Sequence, residues 1–425
     1  MKKLFQKLRG VYLIDVLLSL KGNPRACIWL EPLWGIPYNL YVPYAALFMA
    51  AMGLTPYEIG IVTSVYYMSQ AISSVLSGVI TDKLGRRLTT VIFDTLSWSV
   101  PTFLWMCASG FPWFVAAAVF NGMWRITDNS WGLLLVEDAD RDLIVPMYSL
   151  TSVMGLISAF VAPLSALAVK RFGVVGTVRF LYGLTCASMT AKFLILFKLS
   201  RETRVGLRRL EATRGKSIFT SVWECKDVFL SIIREKRMVL TVGIMAAFSL
   251  VNALNDNYFS IYLNTNLAIA ESNMSLFTMV KSIVRLICMF SLARWVRTRN
   301  FKMPMIAAWC LFMAGQATLL LNPGGKFGIP LTFLEVALEA VALAILYPMT
   351  SSLLFINADV EERARINGLV YATIALMTAV FPAVVGYFAD YNLAVPFVVC
   401  IAVYVAAIGM TVAIAKIPAK AESDP

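Results

Sequence analysis

The chain is 425 residues long, 59% hydrophobic and 15% charged, with a mean hydropathy of +0.73. Soluble proteins carry about 25% charged residues, so these values exclude a large soluble domain and point to a protein that crosses a membrane many times. The net charge of +12 does not signal nucleic acid, because the cations cluster between apolar runs, as cytoplasmic loops do, and form no patch interleaved with aromatics.

Residues 1–23 begin basic, turn apolar and are interrupted by Asp15, with no small-x-small cleavage site after them. They read as a cytoplasmic amphipathic segment on the bilayer surface rather than a secretory signal. Twelve apolar spans follow, each suited to crossing about 30 Å of hydrocarbon as helix. The first, 24–52, opens with Asn23-Pro24, a cap residue before a proline at the first helical position. Pro32, Pro37 and Pro43 bend it. The second and third, 57–80 and 88–108, flank a short polar loop. The fourth to sixth are 112–136, 145–168 and 175–198, closing an expected six-helix bundle over 24–198.

Residues 199–237 form the expected linker. Counted from Lys198, they hold eleven Lys or Arg against five Asp or Glu, an excess that places them in the cytoplasm. Within the linker Ile218, Phe219, Val222, Trp223, Phe229, Ile232 and Ile233 are spaced for one apolar face of an interfacial helix. A second bundle, 238–416, contains spans 238–264, 273–294, 303–322, 328–354, 366–389 and 392–416, before a tail at 417–425. Six spans on each side of the linker put both termini in the cytoplasm. Arg294, Arg297, Arg299 and Lys302 fall on the same side. An internal repeat supports the division. Residues 133–148, LLLVEDADRDLIVPMY, are echoed at 353–368 by LLFINADVEERARING, with Pro163 and Pro382 at nearly matching depths.

The loop between the second and third spans reads Gly78-Val79-Ile80-Thr81-Asp82-Lys83-Leu84-Gly85-Arg86-Arg87. Gly78 lets two helices approach. Gly85 permits a tight turn. Asp82 can accept hydrogen bonds from Arg86 or Arg87, which can also reach Glu137 or Asp138 at the end of the fourth span, or the other half. The pattern G-x-x-x-D-K-x-G-R-R resembles the signature loop of the major facilitator superfamily of secondary transporters. That resemblance implies an all-α membrane fold of twelve helices in two pseudo-symmetric six-helix bundles. It also implies that Gly78, Asp82, Lys83, Gly85, Arg86, Arg87, Glu137 and Asp138 form a latch broken when the halves rock. The alternative is that these charges only set topology. The family's drug–proton antiporters are the similar subgroup. Their fifth-span signature, G-x-x-x-G-P-x-x-G-G, is degenerate here: Ser158, Ala162, Pro163 and Ala166 keep small size at four places, but no glycine of it remains. Their fourth-span arginine corresponds most nearly to Asn121, with Arg125 one turn later.

A charge at mid-bilayer costs about 2.5–3.5 kcal/mol on insertion scales, so each needs a partner or a purpose. Glu31, with Asn39, Tyr41 and Tyr44, lies on the first span, Asp94 on the third, Arg125 and Asp128 on the fourth and Lys192 on the sixth. The seventh carries the polar knot Asn252, Asn255, Asp256 and Asn257. Lys281 and Arg285 are four apart on the eighth span, as are Glu335 and Glu339 on the tenth, and each pair shares a helix face. These four invite a ladder of two ion pairs. It is either packing glue or a device in which Glu335 or Glu339 exchanges a proton and frees the cations. Glu31 and Asp256 face the central cavity if the first and seventh spans line it, as in the family. The expected pathway for substrate or protons is thus Glu31, Asn39, Tyr41, Arg125, Asp128, Asn252, Asn255, Asp256, Lys281, Arg285, Glu335 and Glu339.

Histidine is absent, which removes the commonest metal ligand and proton shuttle and leaves no Ser/His, His/Glu or Cys/His constellation for an enzyme. Seven cysteines, with no C-x-x-C spacing, read as small buried hydrophobes. No metal or cofactor is expected, and no G-x-x-x-x-G-K-[ST] loop provides for ATP. The expectation is a monomeric plasma-membrane transporter that moves a small organic solute by alternating access, proton-coupled and efflux-like. An uptake symporter or facilitator for an organic anion or a sugar is the alternative within the class; a non-transporting sensor is the alternative outside it.

Overall fold

A backbone inside hydrocarbon must satisfy its own hydrogen bonds, and helices do so segment by segment. The computed structural model describes residues 12–139, 143–215, 234–292, 301–357 and 363–417 and shows no strand among them. In chain order the helices are α1 (Tyr12–Ser19), α2 (Gly22–Trp29), α3 (Glu31–Tyr41), α4 (Ala45–Ala51), α5 (Pro56–Leu84), α6 (Arg86–Asp94), α7 (Val100–Cys107), α8 (Phe111–Asn121) and α9 (Trp124–Val136). They continue with α10 (Ile144–Ser158), α11 (Pro163–Leu199), α12 (Arg204–Ala212), α13 (Lys236–Thr265), α14 (Met274–Leu292), α15 (Lys302–Leu320), α16 (Gly325–Asn357), α17 (Arg363–Ala389) and α18 (Val395–Lys416). They make the expected all-α fold, twelve transmembrane spans in two six-helix bundles.

Among the described residues, seven helical stretches are long and apolar enough to cross a bilayer unaided, one of them the double-length Leu150–Leu199. That stretch holds two spans that meet at Gly173, whose φ of 72° breaks the helix. Other spans are broken in the middle, each for an identifiable reason. The proline-rich first span divides into α2, α3, the 3-10 turn Val42–Tyr44 and α4. The third passes through a π-helical turn, Thr95–Ser99. The fourth is interrupted at residues 122–123, and a Cβ on Gly122 would lie 2.6 Å from the Tyr66 carbonyl oxygen.

Asn23 does not cap the first span as its position before Pro24 suggests. It forms a reciprocal pair with the chain after the sixth: its Nδ2 donates to the Arg201 carbonyl at 2.9 Å, and the Arg201 amide donates to its Oδ1 at 2.8 Å. Part of the N-terminal segment is helical, with Val16 and Leu20 buried in one cluster with Leu134, Met147 and Leu150. The interfacial helix expected around 218–233, the loop cations Arg294, Arg297 and Arg299, and the tail after Ile417 lie outside the described residues.

The two halves meet along α5 and α17. Proline inside a helix removes one main-chain bond and bends the helix; beside Pro382, the Ala383 amide is taken by Ser64 Oγ at 3.2 Å. Close backbone approach is made possible by glycines other than the one expected. A Cβ on Gly60 would overlap the Pro382 carbonyl oxygen, and one on Gly386 would lie 2.7 Å from the Pro56 carbonyl oxygen. Among the described residues, a Cβ at Gly78 would meet nothing within 4 Å. Further bonds across the halves gather at the same end. The Tyr258 hydroxyl, also 3.3 Å from the Pro382 carbonyl of its own half, donates to the Pro56 carbonyl (3.1 Å), the Tyr57 amide donates to Asp390 (2.9 Å), and Thr63 Oγ1 donates to Asn257 Oδ1 (3.0 Å). This is the end of α5 remote from residues 78–87, and we refer to it as the far face. Gly60→Ala should lower stability by about 1–3 kcal/mol, because the obstructing atom is backbone and cannot rotate away; thermal unfolding of the purified protein in detergent measures it.

Candidate functional site

α5 ends at Leu84 and α6 begins at Arg86, so one residue makes the turn. Gly85 has a φ of 82°, and a Cβ on it would lie 2.6 Å from Glu202 Oε2. Backbone conformation and the approach of a carboxylate therefore both call for glycine. Glu202 accepts from the main-chain amides of Arg86 (2.9 Å) and Arg87 (3.0 Å), placing a negative charge on orphan donors at a helix N-terminus. Arg86, only 3% exposed, donates from Nη1 to Asp82 at 3.0 Å and from Nε and Nη2 to Glu137 at 3.0–3.1 Å. Glu137 also accepts from the Thr203 hydroxyl. Arg87 turns away: it donates to the Phe197 carbonyl at 2.6 and 3.0 Å and lies 4.0 Å over the Phe197 ring. Asp138 accepts from the Arg204 amide at 3.3 Å, and Lys83 sits in the last turn of α5. Among the described residues, these bonds stay within the first half and the segment 197–213. Neither Glu202 nor Thr203 is distinguishable in sequence within a linker full of charges; α12 and the turns before it bring them against the loop.

The intramembrane charges sort into committed and uncommitted groups. Glu31 is committed: Lys192 Nζ donates to it at 2.7 Å, inside the first bundle, so it is paired rather than free in the central cavity. Asp94, buried, accepts from Thr127 Oγ1 at 2.7 Å. Arg125 bonds Asp128 at 3.1 Å and lies over the rings of Trp124 (4.4 Å) and of Tyr371 (4.2 Å) in the second half. The ladder of the second half has one rung. Lys281 bonds Glu339 at 2.7 Å, whereas Arg285 lies 5.0 Å over the Tyr347 ring. Glu335 is 1% exposed, and its Oε2 has no hydrogen-bond partner among the described residues.

The knot on α13 does not converge on one point, because successive helical residues are turned about 100° apart. Asn252 bonds its own helix at Phe248 (2.6 Å), Asn255 accepts from Gln316 inside the second bundle (2.9 Å), and Asn257 meets Thr63 of the first. Asn39 likewise bonds its own helix at Gly35 (2.7 Å). Asp256 differs from all of these. It is exposed although it lies well inside a 30-residue helix, and it makes no hydrogen bond or ion pair among the described residues.

Asp256 opens onto a cavity of about 190 Å³ between α13 and the first bundle. The aromatic wall is Tyr41, Tyr66, Tyr67, Trp105, Phe114 and Tyr182. Its rings pack on one another, with Tyr41 4.8 Å and Trp105 5.3 Å from Tyr182, and Tyr66 5.1 Å from Tyr67. The polar wall is Thr63, Asn121, Asp256 and Asn257. Asn121 donates to the Ser97 carbonyl at 2.8 Å, within the π turn, so that irregular turn is braced by a cavity residue. Of the expected pathway residues, only Tyr41 and Asp256 line this cavity. Tyr66, Tyr67, Trp105 and Tyr182 are additions that no motif marks, since aromatics are common throughout the chain.

The sequence profile of the Major Facilitator Superfamily matches residues 35–324. No curated protein matches the sequence. Among solved structures, the chain is similar to the nucleoside transporter NupG, with a TM-score of 0.72, 12% identity, and coverage of 94% of this chain and 100% of that one. It is similar to a POT family transporter in complex with 5-aminolevulinic acid, with a TM-score of 0.71, 13% identity, and coverage of 92% and 96%. It is also similar to the human organic anion transporter MFSD10 (TETRAN), with a TM-score of 0.62, 14% identity, and coverage of 92% and 99%. At these identities the likeness is one of fold.

Two outcomes follow from the bonded clusters. Glu202→Ala strips the cap from α6 and should cost about 1–2 kcal/mol, read as faster amide hydrogen exchange over residues 86–90. Lys281→Met leaves Glu339 buried without its cation and should cost about 3–5 kcal/mol. Exchanging the two residues, Lys281→Glu with Glu339→Lys, should restore most of the lost thermal stability.

Proposed function

This chain belongs to the major facilitator superfamily and is a membrane transporter of that type; on that premise we propose that it moves a small organic solute by alternating access, coupled to protons and directed outward. The observation that carries the reading is Asp256, a carboxylate exposed at mid-helix, without a hydrogen-bond or ion-pair partner among the described residues, in a cavity shared by the two halves. An unpaired charge at membrane depth is expensive. A proton or a solute arriving from water neutralises it, and competition between the two for one carboxylate is the simplest basis for exchange.

The positive bias of residues 78–87 and 198–237 puts the loop face in the cytoplasm, with both termini and the linker on that side. The bonds from Tyr57, Thr63, Ser64 and Tyr258 then hold the halves together on the outer side. The state described is closed to the outside. The cluster of Asp82, Arg86 and Glu137, together with Glu202, presets the loop on the first half, so that it can engage the second half when the cytoplasmic side closes. The protein works as a monomer in the plasma membrane, with the bilayer, protons and the solute as its partners. A second reading, uptake of an organic anion, draws on Arg285, which makes no ion pair among the described residues.

Proteoliposomes loaded with a pH-sensitive dye test the proposal. Addition of tetraethylammonium, benzoate or uridine should move protons for the class that is carried. Asp256→Asn should abolish that movement. Asp82→Asn should reduce it at least tenfold while leaving solute binding within about threefold of wild type. Loss of binding in Asp82→Asn would refute the latch role, and proton movement with none of the three solutes would refute the coupling.

A further inference from the structure

We propose that the cavity at Asp256 takes a small organic monocation, its ammonium on the Asp256 carboxylate and its apolar substituents against the tyrosine and tryptophan faces. The inference deepens the transport reading and rests on it for passage across the membrane, though not for binding.

Three observations converge on a cation. The first is the charge of the lining: Asp256 is the single charged residue among those around the cavity. The second is the state of the nearby cations. Lys281 on α14 lies close enough to act on Asp256 electrostatically, but it is bonded to Glu339 of α16. Arg125 on α9 is bonded to Asp128, and Lys192 to Glu31. Each pair is neutral as a unit, so the carboxylate of Asp256 remains as the net charge at the cavity. An organic anion entering here would meet a like charge and no counterion, and a neutral solute would leave that charge uncompensated.

The third observation is the aromatic wall. Tyr41, Tyr66, Tyr67, Trp105 and Tyr182 surround the same space, and the electron-rich ring faces attract a weakly hydrated ammonium. An aromatic wall alone would equally suit stacking with a flat neutral ring. The combination of that wall with one unpartnered carboxylate singles out an alkyl- or arylammonium. Tetraethylammonium and phenyltrimethylammonium are the simplest alkyl and aryl members of that class.

The test is isothermal titration calorimetry of the full chain in detergent at neutral pH, with tetraethylammonium, phenyltrimethylammonium, benzoate and uridine as probes. Both cations should bind, with phenyltrimethylammonium the tighter, and benzoate should not. Asp256→Asn should weaken both cations at least tenfold. Asp256→Glu, which keeps the charge, should restore binding to within about threefold. Tyr67→Leu should weaken phenyltrimethylammonium more than tetraethylammonium. The unfolding temperature of each variant shows whether it is folded, and Asp256→Glu keeps the test decisive if Asp256→Asn is not. Binding of benzoate or uridine that is indifferent to Asp256→Asn, or failure of wild type to bind either cation, overturns the proposal. Cation binding without any proton-driven flux in proteoliposomes would overturn the transport reading and leave the cation site standing. Flux of benzoate without cation binding would do the reverse.

Discussion

An ionised side chain at membrane depth must find a counterion within the protein or face water, and the interior of this protein is organised by that requirement. Glu31 with Lys192, and Lys281 with Glu339, are each closed within one bundle at 2.7 Å. Arg125 and Asp128 form a local pair on one helix, roofed by aromatic rings from both halves. Each of these pairs removes a charge from consideration as a binding group. Arg285 and Glu335 make no ion pair among the described residues but do not line the cavity; the charged residue that does is Asp256.

The same logic of committed and uncommitted groups applies at the loop. Arg86 is fully engaged by Asp82 and Glu137, Arg87 by the carbonyl and ring of Phe197, and the first amides of α6 by Glu202. The loop is thus bonded on all of these sides to the first bundle and to the segment leading into the linker. At the far face the halves are joined differently, by glycine-permitted backbone contact and by hydroxyl and amide bonds along α5, α13 and α17. These bonds are mostly between uncharged groups, the Tyr57–Asp390 contact being the exception.

The cavity connects the two themes. Its walls come from α3, α4, α5, α7, α8 and α11 in the first bundle and from α13 in the second, so Asp256 faces residues of the other half. The irregular turns lie on the same helices. The 3-10 turn Val42–Tyr44 follows Tyr41, and the π turn Thr95–Ser99 is braced by Asn121. Backbone irregularity at membrane depth is tolerated where protein supplies the missing partners, as Asn121 does for the Ser97 carbonyl of the π turn.

The sequence by itself determined the membrane class, the spans and the character of the 78–87 loop. Hydrophobic length, proline placement and positive bias are local properties that survive without knowledge of neighbours. It also named Asp82, Arg86 and Glu137 among several possible partners, and it expected two ion pairs among Lys281, Arg285, Glu335 and Glu339, of which the structure shows one. Only the tertiary structure decided which charges were already matched. Glu31 pairs across 161 positions of chain with Lys192, Arg285 goes to a ring instead of to Glu335, and Glu202 reaches back to cap α6. The cavity's aromatic wall was likewise illegible, since Tyr66, Tyr67, Trp105 and Tyr182 differ from other membrane aromatics only in what they face. Partnership across a fold depends on the relative rotation and depth of separate helices, and those are set by packing between spans rather than by the residues of any one of them.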